Sequence, residues 1–141
     1  MTNENNVYLP IVGTWVLSSI YYLFDDGTKQ DMYGSNPLGI LMYDENGLMN
    51  AQLGSKEHKS YDFESQSCSG LFSNYMAYYG DYYEESPGKL IHKVTGCVHP
   101  HWIGEKEVRY YELKEDVLRI WTPKMNINGK DAIIEVYWKR A

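Results

Sequence analysis

The 141-residue chain is 43% hydrophobic and 23% charged, an ordinary balance for one folded domain long enough to bury a core. Its formal net charge of −6 argues against nucleic acid and against anionic membrane surfaces, both of which call for an excess of Lys and Arg. No apolar run approaches the roughly 20 residues of a membrane-spanning helix, and Met1–Asn6 lacks the basic and apolar regions of a secretory signal. Two cysteines, Cys68 and Cys97, are too few for a disulfide scaffold, so reduced thiols and a cytoplasmic location are expected.

Aromatic usage departs from the ordinary. There are 14 Tyr and 4 Trp against only 3 Phe. Buried Tyr hydroxyls need partners, and a dry core would favour Phe; the skew points to strands and to the wall of a ligand cavity.

Turn signals recur at short intervals with β-rich runs between them. Gly13 to Phe24 reads as a long first strand, ended by the turn Asp25-Asp26-Gly27-Thr28. A loop through Gly34-Ser-Asn-Pro-Leu-Gly39 precedes a second strand, Leu38 to Asp44. Asn46-Gly47 turns it into a third, Leu48 to Leu53. Gly54 to Ser69 has no strand pattern. From Gly70 to Ala77, Leu71, Phe72, Tyr75 and Met76 recur at helical spacing and predict a short helix.

Tyr78 to Glu84 is a fourth strand and Leu90 to Val98 a fifth, joined at Ser86-Pro-Gly88. A bend at His99–Gly104 leads to the sixth, Glu105 to Leu113; Val117 to Thr122 is the seventh and Asp131 to Arg140 the last. Eight sequential strands close most economically into an up-and-down antiparallel barrel, which leaves no edge to protect and an interior just wide enough for side chains or one small ligand. The expected fold is therefore all-β: an eight-stranded barrel with one short helix, a single domain over 1–141, with residues 1–10 as a polar N-terminal extension.

Gly13-Thr14-Trp15 opens the first strand, and Arg140 follows Trp138 in the last. Between them come Asn36-Pro37-Leu38-Gly39, Asn46-Gly47-Leu48-Met49-Asn50-Ala51-Gln52, Pro100-His101-Trp102-Ile103-Gly104 and Val108-Arg109-Tyr110-Tyr111-Glu112-Leu113. This ordered set, running from about Val12 to Ala141, resembles the lipocalin-like domain family of bacteria and fungi. The resemblance implies a calycin-type barrel, with Trp15 closing its base, Arg140 packing over that ring, and Gly13 in the same structural motif. The sequence departs from the family pattern at Asn46, where Asp is usual, and at His99 and His101. Function does not follow from fold.

Alternation assigns faces if charged residues mark the outside of each strand. Lys93 outside puts Leu90, His92 and Val94 inside; Arg119 outside puts Leu118, Ile120 and Thr122 inside; Glu135 and Lys139 outside put Ile134, Val136 and Trp138 inside. Trp15 inward carries Leu17, Ser19, Tyr21 and Leu23 with it. Leu41 and Tyr43 share a face, as do Met49, Ala51 and Leu53. On the fourth strand, Asp81 prefers water, so Tyr78, Gly80 and Tyr82 are chosen as inward over Tyr79, Asp81 and Tyr83. The sixth strand holds charge on both faces, and Leu113 favours Arg109 and Tyr111 inward. An inward Arg is costly unless paired with a carboxylate, hydroxyls or an anionic ligand.

The candidate ligand-binding residues are thus Tyr21, Tyr43, Met49, Tyr78, Tyr82, His92, Trp102, Arg109 and Tyr111. A mostly apolar cavity with a few placed polar groups is what small-molecule sites look like. His92 beside a tyrosine has the ordinary pKa of about 6.5 that suits a general base. His99 and His101 flank Pro100 with no nearby third ligand, so no metal is expected. Neither cysteine sits beside an activating group, and no phosphate- or dinucleotide-binding fingerprint occurs, so no cofactor is expected.

Two functions follow. The first is a non-catalytic binder of a small hydrophobic, aromatic or amphipathic molecule, acting as monomer or homodimer. The second is a cyclase or isomerase working on a polyketide- or peptide-derived intermediate. There Tyr78, His92, Arg109 and Tyr111 would supply acid, base and oxyanion contacts. A filled, purely structural barrel is the third possibility.

Overall fold

The computed structural model of the protein describes residues 9–56 and 75–141. Among the described residues there are ten antiparallel strands: β1 (Gly13–Phe24), β2 (Lys29–Asp31), β3 (Pro37–Tyr43), β4 (Leu48–Ser55), β5 (Tyr75–Ser86), β6 (Lys89–Cys97), β7 (Lys106–Lys114), β8 (Val117–Trp121), β9 (Met125–Ile127) and β10 (Lys130–Arg140). Eight of them form the barrel read from the sequence, in the order β1-β3-β4-β5-β6-β7-β8-β10, and β10 closes it by pairing with β1. The short strands β2 and β9, not among the eight expected from the sequence, extend the outer ends of β1 and β10.

Local chemistry explains the connections. Asp44 Oδ1 accepts from the backbone N–H of Asn46 and of Leu48, at 2.9 and 2.8 Å, so the β3–β4 turn carries its own clasp. A 3-10 turn at Pro100–Trp102, started by the fixed φ of proline, brings Trp102 back over the barrel wall.

Period-2 alternation places Trp15, Leu17, Leu41, Tyr43, Leu90, Leu118 and Trp138 in one continuous core. Tyr78 and Tyr82 are buried, while Tyr79 and Tyr83 stand in solvent.

Two expectations are corrected. The helix predicted over 70–77 is absent where it can be seen: Tyr75, Met76 and Ala77 pair with Gly54, Leu53 and Gln52 as the start of β5, so ladder pairing with β4 overrides the helical spacing. Residues 70–74 and Cys68 lie outside the described residues. The expected inward run Ser19, Tyr21, Leu23 is also reversed. A bulge between Leu17 and Ser19 shifts the register against β10, turning Ile20 inward and Tyr21 outward. Among the described residues, no helix is long and apolar enough to cross a membrane.

Candidate functional site

The barrel encloses a cavity of about 100 Å³. This is about two thirds of the roughly 150 Å³ that admits benzene in an engineered protein core. Its wall is built by inward positions of nearly every strand: Ile20 from β1, Leu41 from β3, Ala51 and Leu53 from β4, and Ile134, Val136 and Trp138 from β10. Against this apolar lining stand five polar residues, Tyr33, Tyr78, His92, Arg109 and Thr122.

His92 is the centre of the polar corner and is 2% exposed. Its Nδ1 lies 2.7 Å from the Tyr78 hydroxyl and its Nε2 lies 2.7 Å from the Tyr43 hydroxyl. Both ring nitrogens are therefore engaged by phenols from β5 and β3. Burial, reinforced by the charge of Arg109, holds the His92 pKa well below its ordinary value, and the imidazole is neutral. Burial likewise raises the Tyr43 and Tyr78 hydroxyls, with Arg109 opposing the rise in each.

Arg109, on β7, sits with a side chain 14% exposed. Its NH1 donates to the Val108 carbonyl at 2.8 Å and lies 3.7 Å from Glu107 Oε2. Trp102 packs its ring 5.8 Å from that of Tyr78 and also lines the cavity.

The structure therefore brings Tyr78, His92, Trp102 and Arg109 together at the cavity wall. Tyr43 stands one layer behind His92. Met49 is buried in the core away from the wall, and Tyr82 donates to the Asp44 carbonyl at 2.6 Å. Tyr111 donates to the Glu84 carboxylate. Tyr21, turned out by the bulge, donates to Glu135 on the outer face. Among the described residues, the cavity wall holds only two tyrosines, Tyr33 and Tyr78, and is mainly aliphatic.

Sequence reasoning missed Met32 and Tyr33, which lie in the segment after β2 and reach the cavity. Burial raises the Tyr33 hydroxyl to about 12, with Tyr22 adding to the rise. Only their apolar character marked them. His99 and His101 face each other with ring centroids 5.7 Å apart, and no set of three metal-ligating side chains converges among the described residues.

A closed antiparallel barrel around a small, mainly apolar cavity is the architecture of small-molecule-binding barrels. The pattern of the lipocalin-like domain family matches residues 12–141, and the chain belongs to that family. No curated protein sequence matches it significantly.

Proposed function

We propose that the protein binds a small aromatic or amphipathic molecule inside the barrel. The observation that carries this reading is the cavity itself, apolar on most of its wall with Tyr78, His92, Thr122 and Arg109 as placed polar groups. Trp102 and Trp138 line it, so occupancy should alter indole emission. The test is a fluorescence titration with small phenols, indoles and short fatty acids on the wild type and on Ala51→Leu, which fills the wall from β4. A saturable response in the wild type, lost in Ala51→Leu at unchanged thermal stability, supports the reading. A flat response to the whole set sinks it.

A second reading is favoured by one specific arrangement, the Tyr78–His92–Tyr43 chain beside Arg109. In this reading the barrel is a cyclase or isomerase that polarises a substrate oxygen at Arg109 and exchanges a proton through Tyr78. Its signature is a His92→Gln or Arg109→Met variant that still binds substrate but forms no product. Equal loss of binding and turnover in both variants counts against it.

A further inference from the structure

The hydrogen bonds around His92 can be counted proton by proton. A neutral imidazole has one N–H donor and one acceptor nitrogen, so of its two phenol partners one donates to the ring and the other accepts from it. Tyr43 is 1% exposed, and among the described residues its hydroxyl has no partner but His92 Nε2. If Nε2 carried the proton, Tyr43 would accept it and its own O–H would be left in the core without an acceptor, a costly arrangement. The lower-cost state has Tyr43 donating to Nε2 and Nδ1–H donating to Tyr78.

That assignment fixes the next proton. With its oxygen accepting from His92, the hydroxyl of Tyr78, a residue 7% exposed, must donate elsewhere. Its neighbour Arg109 has no acceptor atom. Among the described residues no other partner reaches it, and the direction left open is the cavity it lines. Beside it, the Arg109 guanidinium has five N–H donors: NH1 donates to the Val108 carbonyl, with Glu107 at 3.7 Å from the same nitrogen, and the side chain also hydrogen-bonds the Tyr78 oxygen, which leaves further N–H groups for a guest. Two donors, one cationic, thus converge on a wall that is otherwise largely aliphatic.

We infer that the guest carries a single anionic oxygen, the phenolate or enolate of a small weakly acidic ring compound, held between Tyr78 Oη–H and Arg109. Its ring lies against Ile20, Val136 and Trp138. The inference rests on the reading of the barrel as a small-molecule binder and names the class of molecule. The other titratable groups facing this corner are Glu107 beside Arg109, Tyr43 and His92 behind Tyr78, Tyr82 and Tyr111 near Tyr43, Cys97 near Tyr78, and Tyr33 in the wall. A cation beside a bound phenol favours its ionised form, as it would for any acid.

The probes are p-nitrophenol, whose phenolate is coloured, and nitrobenzene, which has the same ring and no ionisable group. Absorbance is followed against pH with excess protein. Phenolate should bind at least about tenfold more tightly than neutral phenol, so that bound probe ionises at least about one pH unit lower than free probe. Arg109→Met should remove that displacement; Arg109→Lys should restore part of it. Nitrogen NMR of His92 in the free protein should show Nδ1 protonated.

Binding of both probes with no displacement overturns the inference and leaves the binding function standing. Failure of both probes to bind overturns the two together. Protonation at Nε2, or a displacement unchanged in Arg109→Met, also overturns it.

Discussion

The guanidinium carbon of Arg140 lies 4.2 Å above the Trp15 ring, so the two ends of the sequence motif meet across the β1–β10 seam. Trp15 Nε1 donates to the Ile11 carbonyl at 2.8 Å, and Arg140 NH2 donates to the Pro10 carbonyl at 2.9 Å. The segment that enters β1 is thereby tied under the barrel. Gly13 completes this arrangement: its φ is +140°, and a Cβ there would stand 2.9 Å from Arg140 NH1.

Gly13→Ala should therefore act largely through Arg140. Backbone strain and the displaced cation over Trp15 together should cost about 1–3 kcal/mol. The effects should not add, because both changes break the same contact: Arg140→Ala in the Gly13→Ala background should cost less than in the wild type. Urea unfolding of the two single variants and the double variant measures this. Full additivity would show that Gly13 and Arg140 act independently.

Stability should fall on the acid side because of His92. Its folded pKa lies well below the ordinary value, so as pH drops through about 6.5 the unfolded chain takes up a proton that the folded chain refuses. The unfolded state then binds more protons, and the unfolding free energy declines by up to about 1.4 kcal/mol per pH unit until the folded pKa is reached. This contribution is fully present above about 6.5. His92→Gln should flatten the slope between pH 6.5 and 5, read from urea midpoints at each pH. An unchanged slope would assign the acid sensitivity to other groups.

Much of this site follows from alternation. Lys93 marks the outside of β6 and so turns His92 inward, and Asp81 does the same for Tyr78 on β5. What alternation cannot supply is an offset. The bulge after Leu17 is a single extra residue in the register with β10, and it moves Tyr21 from the expected cavity face to Glu135. Nor does periodicity say which inward tyrosine meets His92. Tyr43 is 49 residues away, and the meeting depends on how β3 and β6 stand across the closed barrel. Tyr75 and Met76 illustrate a third limit, since spacing compatible with a helix served equally well as a strand once β4 offered partners.

The bulge at Tyr79/Gly80 gives the sharpest steric prediction. A Cβ on Gly80 would lie 1.9 Å from the Lys93 carbonyl oxygen and 3.0 Å from the Thr95 nitrogen, all backbone that cannot swing aside. Gly80→Ala should therefore force β5 and β6 apart beside Tyr78 and His92. The cost should exceed about 3 kcal/mol, beyond the ordinary range for a point change. Loss of near-ultraviolet circular dichroism, or failure to accumulate as soluble protein, is the expected result. A variant within about 1 kcal/mol of the wild type would show that the close approach relaxes without cost.

The outward-turned Tyr21 takes part in a cluster with a separable energetic signature. Glu135 is 4% exposed although it sits on the outer face, where it accepts from Tyr21 and, at 2.8 Å, from Arg119 Nε. Arg119 in turn lies 4.1 Å over the Trp121 ring. Burial pushes the Glu135 carboxyl up, but hydrogen bonds from Tyr21 and Arg119 outweigh it and the pKa is lowered. Its contribution is therefore present above the ordinary carboxylate range and is lost as pH falls through the lowered folded value. Removing Arg119 alone should cost more than removing both members of the pair, because Arg119→Met leaves a buried carboxylate with Tyr21 as its remaining donor. We expect about 1–3 kcal/mol for Arg119→Met or Glu135→Gln. The double change Arg119→Met/Glu135→Leu should cost less than the sum of the single changes Arg119→Met and Glu135→Leu. A thermodynamic cycle from urea unfolding decides it: a coupling energy near zero would mean that Glu135 is held by Tyr21 and by burial, with Arg119 a bystander.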